Sequence, residues 1–242
     1  KVIFMKLAIC LAGGGAKGAA HIGVLKAIEE ANIKYDYIAG ASSGSIVASL
    51  RAMGYTPDEI YELFKKYCKK IKHVDFKNVL KLLMGMDLKR SIIIDGLNSG
   101  ETIEKVINEA ASKKGISNLN QIKNNLLIPS VELNTGMLYM FSSINNREIY
   151  SDEIKYIYDI NIGKAVRASC SYPGVFSPCV FDDDELIDGG IRENIPWKEA
   201  KANGADKVFC VKFENKKKAK CRKNIIDVLT GSIDILCHEL SN

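Results

Sequence analysis

An α/β domain built on a parallel sheet is the fold class that the sequence predicts, and three observations predict it. Two short apolar runs, residues 5–12 and 35–39, each end in a glycine-bearing turn. Each is followed by apolar residues at helical spacing, in residues 19–31 and 43–53. Strand, helix, strand, helix within the first 54 residues is a right-handed βαβ unit, which requires a parallel sheet. The third observation is length: 242 residues without a linker or internal repeat suit one domain over residues 1–242.

The remaining elements follow in order. Residues 5–12 (MKLAICLA) are a buried strand, and 13–18 a glycine turn. In the helix over 19–31, Ile22, Leu25, Ala27 and Ile28 form the apolar face. Gly54 closes the helix over 43–53. Thr56 is a good N-cap for a helix over 57–71, whose stripe is Ile60, Leu63, Phe64, Tyr67, Cys68 and Ile71 among many lysines. Residues 76–86 are a second apolar, lysine-bearing stretch, and 102–111 are helical. Residues 126–132 and 137–142 form a hairpin around Thr135-Gly136. A short helix over 162–168, strands at 180–181 and 185–187, a helix over 196–202 opened by proline and a strand over 207–213 complete the body. Residues 216–223 are a basic run, and 225–240 a final amphipathic helix.

Composition narrows the function classes. A hydrophobic fraction of 47% excludes global disorder. No apolar stretch reaches the roughly 18 residues of a membrane-spanning helix. The net charge of +5 suits a solvated surface and tolerates an anionic partner such as a lipid surface. Nothing points to nucleic acid. Seven cysteines, Cys10, Cys68, Cys170, Cys179, Cys210, Cys221 and Cys237, include no CxxC pair, so reduced thiols in a cytoplasm fit best. The opening reads as a strand rather than a secretory leader, with Met5 as a natural initiator. The acidic run Asp182, Asp183, Asp184 and Glu185 reads as a solvated turn, not a metal site.

Two glycine-bearing turns carry the chemistry. Gly13-Gly14-Gly15-Ala16-Lys17-Gly18 formally matches the dinucleotide fingerprint GxGxxG, but the place for the ribose-binding acid holds Ala39, Gly40 and Ala41. A P-loop is excluded, since no Lys-Ser or Lys-Thr follows Gly18. What remains is a set of exposed backbone N–H groups at a helix N-terminus, fit for an anion or a developing oxyanion, or a tight turn without a ligand. Gly40-Ala41-Ser42-Ser43-Gly44 matches GxSxG between a strand and a helix, the context of a nucleophile elbow, with Ser42 in register. A base must accompany that serine. Of His21, His73 and His238, only His238 has the hydrolase order, and it lies almost at the end of the chain. The expected base is therefore not a histidine. Asp188, followed by Gly189 and Gly190 at the end of a short strand, is an alternative base or simply a turn aspartate.

Together these blocks resemble the bacterial patatin-like phospholipases. The glycine loop 13–18, Gly40-Ala41-Ser42-Ser43-Gly44, Arg167-Ala168-Ser169 through Pro173, Phe176 and Pro178, and Asp188-Gly189-Gly190 with Asn194 and Pro196 occur in the family's order. The resemblance implies a three-layer α/β/α fold with a central, mostly parallel sheet. It implies a Ser–Asp dyad of Ser42 as nucleophile and Asp188 as base. Amides of Gly13, Gly14, Gly15 and Ala16 would form the oxyanion hole, Lys17 and Gly18 would support the loop, and Gly40, Gly44, Gly189 and Gly190 would shape the turns. The expected function is hydrolysis of fatty-acyl esters of lipids without metal or cofactor, by a cytoplasmic protein. Residues 57–97 would cap the site, and the apolar, lysine-rich part of that segment (57–86) would touch anionic membrane peripherally. The alternatives are a dinucleotide-binding oxidoreductase and a catalytically silent lipid-binding protein on the same scaffold.

Overall fold

Glycine and proline set where the chain turns, and apolar residues on both faces of each central strand set what it packs against. A computed structural model describes residues 5–71, 99–145 and 151–214, with scattered positions from 228 to 237. The elements run β1 (Leu7–Leu11), α1 (Ala20–Glu30), β2 (Tyr37–Gly40), α2 (Ser43–Ala52), α3 (Pro57–Ile71) and α4 (Glu101–Lys113). There follow β3 (Asn125–Glu132), β4 (Leu138–Ser142), β5 (Ile154–Ile157), α5 (Ile162–Ser169), β6 (Cys179–Phe181), β7 (Asp184–Asp188), α6 (Trp197–Ala202) and β8 (Lys207–Val211).

The strands join one mixed sheet in the order β5-β4-β3-β2-β1-β8, with β7 on β3 and β6 on β7. β1 is parallel to β2 and to β8, and β2 is parallel to β3. The expected hairpin is present as the antiparallel pair β3–β4. Odd and even residues of the inner strands face opposite cores. Ile9 and Leu11 join the side chains of α1 through α5, whereas Ala8, Cys10 and Ala12 join Ala200 of α6. Helices on both sides of a mostly parallel sheet give the expected three layers.

β5 is absent from the sequence-based expectations. Its four residues, Ile154-Lys155-Tyr156-Ile157, are partly exposed throughout, and its place follows from pairing with β4 rather than from an apolar run. The N-cap at Thr56 is a full capping box. Thr56 Oγ1 accepts from the Glu59 amide at 3.2 Å, and Glu59 Oε2 accepts from the Thr56 amide at 2.7 Å. Ile60 is fully buried, and Leu63 and Phe64 pack against the same core. The first turns of the expected cap segment 57–97 thus belong to the body of the fold. Its part over 72–97 lies outside the described residues, as do the basic run and most of the expected final helix.

One strand organises the centre. β3 offers a single edge to two partners in succession. Tyr37, Ile38 and Ala39 of β2 lie opposite Asn125, Leu126 and Leu127. Leu186, Ile187 and Asp188 of β7 lie opposite Glu132, Val131 and Ser130. β2 runs with β3 and β7 runs against it, so the C-terminal ends of β2 and β7 point at each other across a gap. Pro129, which has no N–H to offer a neighbour, lies at that gap.

The turn leaving β2 is tight enough to demand glycine. A Cβ on Gly44 would stand 2.3 Å from the Leu11 carbonyl oxygen, and one on Gly40 would stand 2.4 Å from the Gly44 carbonyl oxygen. Gly44→Ala is therefore expected to lower stability by about 1–3 kcal/mol through overpacking, read as a lower urea midpoint. An unchanged midpoint would refute this packing.

Candidate active site

Ser42 occupies the bend between β2 and α2. Its backbone adopts φ 50° and ψ −124°, a strained conformation for a residue with a side chain. Three contacts hold that bend. The Ser42 amide donates to Ser169 Oγ at 3.0 Å, the Ser45 hydroxyl donates to the Ser42 carbonyl at 2.6 Å, and the Gly44 amide donates to Ala41 O at 2.8 Å. α2 then starts with its positive dipole end beside Ser42.

Asp188 ends β7 and is 1% exposed. Its amide donates to Ser171 O at 3.0 Å, and its Oδ1 accepts from the Gly190 amide at 2.7 Å, capping a short 3-10 turn. Oδ2 has no hydrogen-bond partner. The Ser42 hydroxyl is near enough to act on the ionisation of this carboxyl without full hydrogen-bond geometry. Burial pushes the carboxyl up to about 7, against the smaller opposing pulls of the Ser42 hydroxyl and the Gly190 amide.

The strand geometry thus brings Ser42 and Asp188 together, and the end of α5 braces both. Ser169 holds the serine's amide and Ser171 the aspartate's. Between them, the buried Cys170 lies against Ser45 Oγ at 3.8 Å. Pairing also fixes the strand behind: Ser130 Oγ donates to the Ile187 carbonyl at 2.7 Å inside the core.

The glycine loop leaves β1 directly beside the serine. A Cβ on Gly13 would stand 3.0 Å from Ser42 Cβ. Asn194 joins this loop to the Asp188 turn. Its Oδ1 accepts from the Gly13 amide at 3.0 Å and would stand 3.0 Å from a Cβ on Gly190. The Gly13 amide is therefore engaged by Asn194. Gly14, Gly15 and Ala16 precede the first hydrogen bond of the 3-10 turn, Lys17 N–H to Gly14 O at 3.1 Å, so the turn does not consume their amides. Gly15 holds φ +56°, and Gly14 lies under the Phe213 ring, which a Cβ would meet at 2.5 Å. Gly18 is buried on Ser43, and Lys17 is exposed. Gly189 lies so near Pro129 that a Cβ would meet its carbonyl oxygen at 2.2 Å.

His21 is buried behind the loop. Its Nε2–H donates to Ala12 O at 2.8 Å, and burial lowers its proton affinity, so the ring is a neutral brace. His73 and His238 lie outside the described residues. Among the described residues, no group of three or more His, Cys, Asp or Glu gathers as metal ligands. Nor is any helix among them long and apolar enough to cross a membrane.

The roles of Ser169, Ser171, Asn194 and Phe213 were not readable as contacts. Asn194 and Ser169 stand in blocks that carry the family resemblance, which marks the residues but not their partners. Ser171 acts through its backbone and leaves no side-chain signal.

Comparison with known proteins agrees with the fold and the family resemblance. Residues 9–201 match the model of the patatin-like phospholipase family, and the chain belongs to that family. It is 29% identical over 228 residues to the uncharacterized Bacillus subtilis protein YqhO, covering 88% of this chain and 73% of that one. It is 28% identical over 210 residues to the lysophospholipase NTE1 of Yarrowia lipolytica, covering 85% of this chain but 12% of the relative. In fold it resembles VipD from Legionella pneumophila, with a TM-score of 0.54 at 18% identity over 88% of this chain and 51% of VipD.

The buried carboxyl carries a stability signature. In the unfolded chain Asp188 ionises near its ordinary 3.8, whereas in the fold it keeps its proton to about 7. Its favourable contribution is complete below about pH 4 and is lost as pH rises through 7. Asp188→Asn, which carries no charge, is expected to be more stable than the wild type above pH 7, by on the order of a few kcal/mol. The advantage vanishes near pH 4. Urea unfolding at both pH values checks this, and an advantage independent of pH would contradict it.

Proposed function

We propose that the protein hydrolyses fatty-acyl esters of lipids, of the phospholipase A or lysophospholipase kind, through Ser42 and Asp188. The observation that carries this reading is the buried Asp188 carboxyl beside the Ser42 hydroxyl, with a proton affinity near neutrality. Family membership and the fungal relatives named lysophospholipases support the substrate class.

Asp188 takes the Ser42 proton as Oγ attacks the ester carbonyl. The oxyanion that forms is met by the amides of Gly14, Gly15 and Ala16, with Asn194 keeping the loop in place through Gly13. The alcohol leaves with the proton from Asp188, giving an acyl-enzyme. Asp188 then takes a proton from water, the hydroxide attacks the acyl carbonyl, and Ser42 departs reprotonated with release of the fatty acid. No step uses a metal or a cofactor.

Ser42→Ala is expected to fold with little change in stability and to lose hydrolysis of p-nitrophenyl and phospholipid esters. Asp188→Asn is expected to be nearly as inactive, because the amide cannot take the Ser42 proton. In the wild type kcat/KM should rise with pH and level off above about 7, as the base loses its proton. EDTA should leave the rate unchanged. A folded Ser42→Ala protein with wild-type turnover would overturn the assignment.

The substrate lies in membranes, and we place α3 at that surface. Lys65, Lys66 and Tyr61 are exposed on the helix whose Ile60 is buried. Co-sedimentation with vesicles of phosphatidylglycerol should fall as salt rises, because the attraction is screened over about 8 Å at physiological ionic strength. Replacing Lys65 and Lys66 by Gln should weaken it at low salt, while hydrolysis of a short water-soluble ester stays unchanged. Binding indifferent to both would remove this role.

A further inference from the structure

The seam between β1 and β8 holds a feature that the hydrolase scheme does not use. Cys10 and Cys210 stand opposite each other in the parallel register of these strands. Opposed residues share a face, here the one packed by α6, where Cys10 and Ala200 belong to one cluster and Val208 packs against it. Cys10 is buried, its Sγ 3.7 Å from the Pro196 carbonyl oxygen, whereas Cys210 is exposed. Adjacent strands lie about 4.8 Å apart, inside the 4.4–6.8 Å that Cα atoms of a disulfide span.

The two thiols also divide their labour. The neighbouring Cys10 thiol draws the Cys210 thiol below its ordinary value, with Lys212 acting the same way against partial burial. The Cys210 sulfur, burial and the nearby Glu199 and Glu193 side chains hold the Cys10 thiol far up. Negative charge therefore collects on the accessible sulfur, and the proton stays on the buried one. That is the arrangement of an attacking thiolate with a resolving thiol behind it.

We infer that Cys10 and Cys210 form an oxidative modification site, at which a small peroxide converts the thiol pair into a disulfide across β1 and β8. The Cys210 thiolate attacks one peroxide oxygen, the O–O bond breaks, and the departing hydroxide takes a proton and leaves as water. Cys210 is then a sulfenic acid. The Cys10 sulfur attacks that sulfur, the S–O bond breaks, and the hydroxyl leaves with the Cys10 proton as a second water. Two electrons pass from the sulfurs to the peroxide oxygens, and an external dithiol returns them.

The bond would reach the glycine loop through both strands. Cys10 lies two residues before Ala12, whose carbonyl holds His21. Cys210 lies three before Phe213, whose ring covers Gly14 and packs at a tilt on His21, 4.7 Å between centroids. Linking the strands fixes the register from which both the loop and its aromatic cover depart.

The test exposes the reduced, full-length protein to hydrogen peroxide, blocks remaining thiols with N-ethylmaleimide and digests it with trypsin without reduction. The expected product is peptide 7–17 joined to peptide 208–212, lighter than their sum by two hydrogens and separated by dithiothreitol. Cys210→Ser should abolish it. Cys10→Ala should instead leave a sulfenic acid at Cys210 that dimedone traps. Both thiols remaining alkylated by N-ethylmaleimide, or Cys210 joined to another cysteine, would overturn the proposal. The activity arm rests on the hydrolase reading: ester turnover should fall in step with the cross-link and recover with dithiothreitol. Turnover unchanged in the cross-linked protein would refute the coupling to the loop. A reduced protein inactive from the start would count against the hydrolase reading alone, since the cross-link is read by mass.

Discussion

The edge of β3 is the constraint on which the rest depends. One eight-residue strand accepts β2 along its first half and β7, running the other way, along its second. Two strand ends are thereby aimed at a common gap, and each delivers a candidate site residue where backbone pairing stops. Ser42 leaves one end and Asp188 leaves the other. Residues 146 positions apart in the chain need no dedicated bridge, because the ladder hydrogen bonds of β3 already place them. Pro129 suits the gap, since a residue without an N–H leaves no donor orphaned where no strand lies opposite.

Packing around that gap then tunes the chemistry. The end of α5 contributes Ser169 to one partner and Ser171 to the other, so a single helix terminus sets the relative position of both. Such bracing is how a backbone at φ 50° is kept in place against its strain. Burial of Asp188 is costly in a folded protein, and that cost is what raises its proton affinity toward the working range of a general base. Asn194 extends the bracing to the glycine loop through one amide, and the turn that follows does not consume the next three. The contacts that hold this part of the fold together also position Ser42, Asp188 and the glycine loop.

Much of this was legible in the sequence. The paired βα units, the hairpin at Thr135-Gly136, the N-cap at Thr56 and both motif turns carry local signals: glycine placement, apolar periodicity and cap chemistry. GxSxG could be placed on an elbow because its flanking elements were readable. The unread parts are tertiary. β5 has no apolar run of its own and exists through β4. The split edge of β3 has no sequence signature beyond Pro129, and antiparallel addition of β7 to a parallel region depends on chain return. Ser169 and Ser171 act on atoms more than 100 and exactly 17 residues away along the chain, respectively, distances that no local pattern encodes.

The central claim is that Ser42, and not a neighbouring hydroxyl, is the reacting group. Four serines share the tryptic peptide spanning residues 35–51: Ser42, Ser43, Ser45 and Ser49. The most direct measurement treats the native protein with a fluorophosphonate and maps the adduct by fragmentation of that peptide. The account predicts a single adduct on Ser42, formed in the wild type and lost in Asp188→Asn. An adduct on Ser43 or Ser45, or undiminished labelling of Ser42 without Asp188, would contradict it.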